Sequence, residues 1–285
     1  MSARVVDEET ADLQLDVARR RLATQVAVGN FGLRAGAVSI LLALWWAIAA
    51  AKIFDPVFVP SPGAVWDRLI ETSTVHDGQR GVSGYLLYEH LLTSLRRILI
   101  GSVLGVAGGL VLGLLIGLVP VIRTLIAPLI TFVRTLPPLA YFSLLIIWFG
   151  IDELSKIWLL LIAALPPVAV ATADAVSGVH QDYVNAARTL GANRWQVALR
   201  IVLPSALPEI MTGVRIAVGV VYTTVVAAET VNGVPGVGGM IRDAQRYNQT
   251  DIVVLGLLII GASGLILDGL LHYAERRLAP WRGKT

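Results

Sequence analysis

The sequence has no cysteine and little charge. Because none of its 285 residues is a cysteine, disulfide bonds and thiolate metal sites are excluded. Charged residues make up 15% of the chain and hydrophobic residues 55%, whereas a soluble domain has about 25% and about 45–50%. Together with a mean hydropathy of +0.71, this composition indicates an integral membrane protein.

Motifs for catalysis, metal binding and nucleotide binding are also missing. The four histidines lie far apart and show no His-x3-His pattern, and neither His-Glu-x-x-His nor Gly-x-Ser-x-Gly occurs. The glycine-rich run 233–239 lacks the lysine of a P-loop. We therefore expect no catalytic residue, no metal site and no cofactor bound by this chain. The basic residues behind the pI of 9.4 cluster beside apolar stretches, so we expect no nucleic acid partner.

Apolar stretches of about 20 residues, the length needed to cross a bilayer, recur along the chain. We predict an all-α, polytopic membrane protein with six transmembrane helices. Their approximate bounds are Leu33–Ile53, His90–Val119, Thr124–Phe149, Leu154–Val176, Leu207–Ala228 and Asp251–Tyr273. The third span is interrupted by Leu136-Pro137-Pro138 and the fourth by Pro166-Pro167. Between the first two spans, Ala64–Glu71 reads as a short amphipathic helix.

Prolines and glycines within the spans predict how the helices pack. A proline frees backbone carbonyls, which in a membrane have to be satisfied by protein or by water in a cavity. Paired prolines in two successive spans therefore indicate a pathway or a helix bend, and a packing kink without a lumen is the alternative. Glycines spaced by four form a ridge that allows another helix to approach closely. In the second span these are Gly101, Gly105, Gly109, Gly113 and Gly117.

The distribution of basic residues predicts the orientation. With the N-terminus inside, the cytoplasmic segments hold more lysine and arginine than the outer segments, which also carry more acidic residues. We predict a cytoplasmic tail over 1–32, a transmembrane domain over 33–276 and a cytoplasmic tail over 277–285. The loop 177–206 is then cytoplasmic. The first tail has no secretory signal pattern, and we expect an interfacial helix around Leu13–Leu22.

A polar, basic segment rich in small residues lies between the fourth and fifth spans. Alanines at 186, 187 and 192 have little side-chain bulk, so a partner's surface can close around them. Glycine permits a turn that other residues resist, and a proline can end one element and open the next. We predict that Ala186–Ala198 forms a short helix that docks on a partner, with Leu190 and Trp195 as apolar anchors. The predicted contact residues are Asn185, Ala186, Ala187, Leu190, Gly191, Ala192, Trp195, Leu203 and Pro204.

The spacing of this segment closely resembles the EAA loop of ABC-importer permeases, EAA-x3-G-x9-I-x-L-P, by which the membrane subunit docks on its ATPase. Asn185 stands where the pattern has glutamate; it can form hydrogen bonds but not the ion pair of a carboxylate. Other stretches resemble the taurine and alkanesulfonate branch, to which nitrate and bicarbonate permeases are close relatives. They are Pro56–Pro62, Pro137–Ala140, Ile147–Ile151, Val226–Glu229 and Arg277–Trp281.

The resemblance implies the type I importer architecture in a bacterial cytoplasmic (inner) membrane. Two permeases lie side by side, two ATPases that bind ATP and Mg lie beneath them, and one substrate-binding protein lies outside. Helices three to five line the passage. The implied cargo is a small organic anion, taurine or another sulfonate, with nitrate, bicarbonate or another small solute as alternatives. Because one chain holds both the motif and the spans, we expect a homodimer.

Two other classes of membrane protein are weighed against this interpretation. An ion-coupled secondary transporter would show inverted repeats and acidic residues within the membrane. No internal repeat is visible, and Glu229, Asp251 and Asp268 lie mostly near span ends. A membrane-embedded enzyme has no motif in its favour. Co-purification with an ATPase would separate the importer from both.

A single arginine lies inside the predicted third span. Arg134 is about 15 Å along the helix axis from Thr124, at 1.5 Å per residue, near the bilayer centre, where a lipid-facing charge costs at least a few kcal/mol. Arginine can bind a sulfonate or carboxylate through two parallel hydrogen bonds. We hypothesise that Arg134, with Leu136, Pro137 and Pro138, lines an anion pathway. The alternative is a buried arginine satisfied by helix carbonyls or an acidic neighbour.

Overall fold

The structure is a computed structural model that describes residue 33 and residues 36–76 and 78–281. The predicted tail 1–32, with its helix around Leu13–Leu22, lies outside the described residues. By its internal contacts the chain divides into two units, residues 1–65 and 66–285.

The described part of the first unit contains helix α1, Gly36–Ala50. The predicted first span, Leu33–Ile53, is longer than this helix. The helix ends at Ala50 because Lys52 has a positive φ of 50°, a conformation that a helix cannot continue through. Three residues later Asp55 Oδ1 accepts a hydrogen bond from Val57 N at 2.9 Å, which turns the chain. Trp45 Nε1 donates to Pro60 O at 3.0 Å and holds the segment after the turn against α1.

The rest of the described chain is almost entirely helical. The elements are α2 (Pro62–Ser73), strands β1 (Val75–His76) and β2 (Gln79–Arg80), α3 (Leu87–Leu118), α4 (Pro120–Thr135), α5 (Pro138–Phe149), α6 (Glu153–Ser177), α7 (Gln181–Thr189), α8 (Arg194–Val197), a π-helix (Ala198–Val202), α9 (Leu203–Asn232), α10 (Val237–Arg246) and α11 (Thr250–Leu278). The two strands pair antiparallel in one hairpin, with Val75 opposite Arg80. The predicted amphipathic helix Ala64–Glu71 falls within α2.

In the described residues, four helical stretches are long and apolar enough to cross a membrane. They are α3, α6, α11 and the continuous stretch Arg194–Asn232, which joins α8, the π-helix and α9. Helices α4 and α5 would add a fifth span if the bent pair crosses as one. The predicted second, fourth, fifth and sixth spans fall on α3, α6, α9 and α11. The count of six spans stays a prediction.

The two proline pairs behave differently. At Leu136-Pro137 the chain breaks as predicted, and α4 and α5 meet at a bend of 98°. The predicted interruption of the fourth span at Pro166-Pro167 is wrong, because α6 runs through both prolines without a break. Pro166 is buried, and α6 packs between α3 and α9. These neighbours keep α6 helical through both prolines despite the missing N–H groups.

The packing of α3 on α6 forms the centre of the molecule. The glycines of α3 spaced by four all face α6, and the two helices run parallel. At Gly101 an added Cβ would lie 2.3 Å from Leu160 Cβ, and at Gly113 it would lie 2.5 Å from Thr172 Cβ. Such distances leave no room for a side chain on α3. The pairs along the interface are Gly101 with Leu160, Gly105 with Ala164, Gly109 with Val168, Gly113 with Thr172 and Gly117 with Val176.

Helix α9 packs on another face of α6. An added Cβ at Gly213 would lie 2.2 Å from Ala171 Cβ, and Ala217 and Val221 of α9 are buried in the same core as Val168 of α6. The bundle thus has two ends. We call the end that carries residues 178–202, between α6 and α9, the α7 end. The opposite end carries β1, β2, α10 and the N-termini of α3, α6 and α11, and we call it the α10 end.

Candidate functional site

The segment at the α7 end is two short helices rather than one. Helix α7 ends at Thr189, and Gly191 follows with a φ of +85°. Gly191 N donates to Arg188 O at 2.9 Å and Ala192 N donates to Ala187 O at 3.0 Å; this pair of hydrogen bonds is a Schellman motif, which ends helices at a glycine. The prediction of a single helix over Ala186–Ala198 is therefore wrong.

A capping box starts the second helix. Asn193 Oδ1 accepts from Gln196 N at 2.9 Å, and Gln196 Oε1 accepts from Asn193 N at 2.9 Å. This exchange satisfies two N–H groups at the start of α8. Pro204 lies in the first turn of α9, as expected of a proline that opens an element, and the helical path from α8 continues through it. The π-helix Ala198–Val202 shifts the hydrogen-bond register just before this proline, which has no N–H to donate.

The two short helices present apolar side chains outward. Leu190 is 89% exposed and Trp195 is 76% exposed, and Leu199 is exposed beside them in sequence. The same segment exposes three arginines, Arg188, Arg194 and Arg200. Rigid turns at both helix boundaries therefore hold an apolar and basic surface at the α7 end.

The nine predicted contact residues do not share one environment. Asn185, Ala186, Leu190, Gly191 and Trp195 are exposed, and Ala192, Leu203 and Pro204 are half-buried. Ala187 is buried in the core of the molecule, together with Val184 and Val197. Ala187 thus anchors α7 to its own chain, and the surface open to a partner consists of the five exposed residues. We call Asn185, Ala186, Leu190, Gly191 and Trp195 the exposed patch.

A buried polar network lies at the α10 end. Arg97 Nη1 donates to Glu229 Oε1 at 2.6 Å, and both groups are almost fully buried. The same guanidinium donates to both carboxylate oxygens of Glu153, with Nε 2.8 Å from Oε2 and a second bond from Nη2 to Oε1. Arg97 therefore joins α3 to α6 and α9.

The sequence interpretation did not find this network. It noted Glu229 as an acidic residue near a span end and as part of the stretch Val226–Glu229, and it named no partner for its charge. The signal that could have found it is a charge on each of two long apolar stretches, because buried charges need a partner. Because Arg97 and Glu229 are separated by 132 positions in the sequence, their pairing does not follow from the sequence.

A polar cavity of about 450 Å³ opens beside α10. Arg68, Ser83, Asp243 and Arg246 are among the residues that line it. Burial by itself would raise the pKa of Asp243, but hydrogen bonds from Ser83 Oγ at 2.7 Å and from Arg242 at 2.9 Å outweigh it and hold that pKa below its ordinary value. The cavity wall therefore carries both charge signs.

Arg134 lies in the last turn of α4, next to the bend. Its side chain is exposed, and it makes no hydrogen bond or ion pair with any other residue that the structure describes. The described chain therefore does not provide the acidic neighbour of the alternative interpretation. Leu136 and Pro137 are exposed as well and form the bend itself, and Pro138 opens α5.

Comparison with known proteins adds a family and several relatives. Residues 109–280 match the family model of the binding-protein-dependent transport system inner membrane component. The taurine transport system permease protein TauC of Escherichia coli (strain K12) is 39% identical over 250 residues, which cover 88% of this chain and 90% of that relative. The nitrate import permease protein NrtB of Leptolyngbya laminosa is 30% identical over 243 residues, or 85% of each chain.

One solved structure shows the same fold. It is an inward-facing conformation of the MetNI methionine ABC transporter, and one of its chains matches with a TM-score of 0.54 at 20% identity. The match covers 68% of this chain and 94% of that chain. At this level of identity the likeness concerns the fold alone.

Proposed function

The chain belongs to the family of binding-protein-dependent transport system inner membrane components, and from this we propose that it forms the passage of an ATP-driven importer for a small organic anion, taurine or another sulfonate. It is a multi-pass inner-membrane permease subunit. Separate ATPase subunits bind ATP and Mg and supply the energy. A substrate-binding protein delivers the anion from outside, and a second copy of this chain completes the passage.

The exposed patch supports ATPase docking at the α7 end. Leucine and tryptophan side chains that are this exposed favour burial against a partner, and tryptophan is enriched at interface hot spots. The Schellman motif and the capping box fix the backbone on both sides of the turn, so little conformational freedom is lost on binding. Three exposed arginines suit a partner surface with acidic groups. In this proposal the termini and residues 177–206 are cytoplasmic.

Substitution of Trp195 tests the docking proposal. We expect Trp195→Ala to weaken co-purification with the ATPase by about 10-fold or more, because truncation of a hot-spot tryptophan costs about 2 kcal/mol or more. Trp46→Ala is the control, since Trp46 is also exposed but belongs to α1. Gly191→Trp is less informative, because it disrupts the turn as well as the surface. Normal ATPase binding by the Trp195→Ala variant would contradict the proposal.

The relatives and Arg134 support the proposed substrate class. Taurine, a sulfonate, and nitrate both present a negatively charged group of oxygen atoms, and the names of TauC and NrtB carry these two solutes. An exposed arginine without a partner in the described chain can bind such a group through two hydrogen bonds. Arg134 from each of two copies would make the passage favourable to anions, with Leu136, Pro137 and Pro138 beside it.

Uptake by the reconstituted importer tests the role of Arg134. We expect Arg134→Lys to keep part of the uptake of labelled taurine, since lysine preserves the charge but not the paired hydrogen bonds. Arg134→Gln should reduce uptake by about 10-fold or more, because a charged hydrogen bond is worth about 1.5–3 kcal/mol. Arg123→Gln is the control, in the first turn of the same helix. Normal uptake by the Arg134→Gln variant would rule out the anion pathway.

A ligand screen of the cognate binding protein separates the candidate cargoes. Binding of taurine or another sulfonate supports the proposal, and binding of nitrate or bicarbonate alone replaces the cargo while leaving the importer class intact. Uptake that needs no ATP would favour an ion-coupled transporter instead.

A further inference from the structure

The network at the α10 end contains a carboxylate with no access to solvent. Glu229 is 0% exposed. Its Oε1 accepts from Arg97 Nη1 at 2.6 Å and from Ser94 Oγ at 2.8 Å, and its Oε2 accepts from Gly238 N at 2.9 Å. A buried charge is tolerated only with such partners. Glu229 on α9 is thus bonded both to α3 and to the start of α10.

The glycine-rich run 233–239 is built around this carboxylate. At Gly236 an added Cβ would lie 2.6 Å from Arg97 Nη1 and 2.7 Å from Glu229 Cδ. At Gly238 it would lie 2.4 Å from Val226 O. The backbone can approach the charged groups this closely only without side chains at these positions. The run is therefore a cradle for Glu229 and Arg97.

Two more hydrogen bonds join the run to α3. Val237 N donates to Ser94 Oγ at 3.0 Å, and Gly236 N donates to His90 Nδ1 at 3.0 Å. The other ring nitrogen, Nε2, lies 3.1 Å from Val82 O, so the imidazole bridges the run to the segment before α3. Three side chains, His90 and Ser94 of α3 and Glu229 of α9, therefore hold the start of α10 in place.

The helix that carries Glu229 begins at the exposed patch. Arg194–Asn232 is one helical stretch of 39 residues, which spans about 58 Å at 1.5 Å per residue. Trp195 lies in its first turn and Glu229 in its last. A displacement of Trp195 therefore acts on the same continuous helical stretch that carries Glu229, and no loop separates the two residues.

The two ion pairs of Arg97 differ in how exposed the carboxylate is to solvent. Its partner Glu153 is 57% exposed, whereas Glu229 is fully buried. An ion pair open to water is weak, and a buried one is costly to break. The ion pair that links α3 to α9 is thus the persistent one, and the ion pair to the N-terminus of α6 is the one that can open.

The inference drawn from these contacts rests on the proposed docking of the ATPase and extends it to the other end of the chain. We propose that Glu229 and Arg97 are positioning residues for transport, which fix α10 and the glycine run to the far end of α9 so that movement of the exposed patch reaches α10. ATP hydrolysis then moves the α10 end only while the Arg97–Glu229 ion pair and the hydrogen bond from Gly238 N to Glu229 are intact.

The test measures taurine uptake and ATP hydrolysis by the same proteoliposomes, which hold the permease, its ATPase and the binding protein. We expect Glu229→Gln to lower the amount of taurine carried per ATP hydrolysed by about 10-fold, within the usual range of coupling between distant sites. Glu209→Gln is the control, since Glu209 lies on the same helix and is exposed. An unchanged ratio in the Glu229→Gln variant would overturn the proposal.

A second variant disturbs the contact between α9 and α10 without removing a charge. Gly238→Ala should displace α10 by steric contact with Val226 O and lower the ratio in the same way, whereas Gly261→Ala, where a Cβ meets no atom within 4 Å, should not. Loss of assembly in both Glu229→Gln and Gly238→Ala would show that the network only supports folding, and would overturn the proposal. If the unaltered chain binds no ATPase, the proposed function fails, and this inference fails with it.

Discussion

Substitution of one glycine of α3 tests the packing at the centre of the fold. Gly109→Ala would bring a Cβ within 2.7 Å of Val168 Cβ and 2.8 Å of Leu165 O. Both atoms are held by α6, so the helices have to separate, and overpacking of this kind costs about 1–3 kcal/mol. The neighbouring Gly108→Ala meets only the Leu165 side chain, with Cδ1 at 3.2 Å, and the end of a flexible side chain can move aside.

The pair of variants isolates the steric cost. Alanine gains about 0.8–1 kcal/mol of helix propensity over glycine at either position, so this gain cancels in the difference. We expect Gly109→Ala to be less stable than Gly108→Ala by about 1–3 kcal/mol. Thermal unfolding of the purified permease in detergent, followed by tryptophan fluorescence, measures the difference as a lower Tm. If Gly109→Ala unfolds at the same temperature as Gly108→Ala or above it, the close contact of α3 with α6 is wrong.

Two further predictions concern the α10 end and the topology. Because the folded-state pKa of Asp243 is depressed, its ionised form contributes stability above its unfolded pKa, and this contribution is lost as the pH falls through the folded pKa. Thermal unfolding as a function of pH should therefore show a smaller acid-induced fall in Tm for Asp243→Asn than for the unaltered chain, and equal falls would contradict the assignment. Single cysteines at Gln79 and Asn248 should react with an impermeant maleimide from outside intact cells, and one at Lys284 should not; outside labelling at 284 would contradict the predicted orientation.

The sequence predicted the features that depend on composition and short-range spacing. The apolar stretches gave the positions of α3, α6, α9 and α11 to within a few residues, because hydropathy alone determines which stretches can lie in lipid. The spacing of the α3 glycines placed a close helix contact on one face.

Features that depend on distant contacts were missed or wrong. Pro166 interrupts a helix in isolation, but α6, packed between α3 and α9, continues through it. Reading Gly191 as a helix ending would have divided the segment correctly, yet the surrounding alanines favoured one helix. The pairing of Arg97 with Glu229 needs three helices in place before the two charges meet. Arg134 was found by its position in an apolar stretch, and its surroundings came only from the bend between α4 and α5.

The glycine ridge also limits how the permease can change shape. Because the five close contacts recur every four residues, α3 can slide along α6 only if all five contacts are broken at the same time. The next matching position is about 6 Å away, four residues at 1.5 Å each. Small displacements are therefore resisted along the whole length, and α3 and α6 behave as one body. Helices α4 and α5, which bury only Ile130, Phe142 and Leu145, are much less constrained and can move against this body.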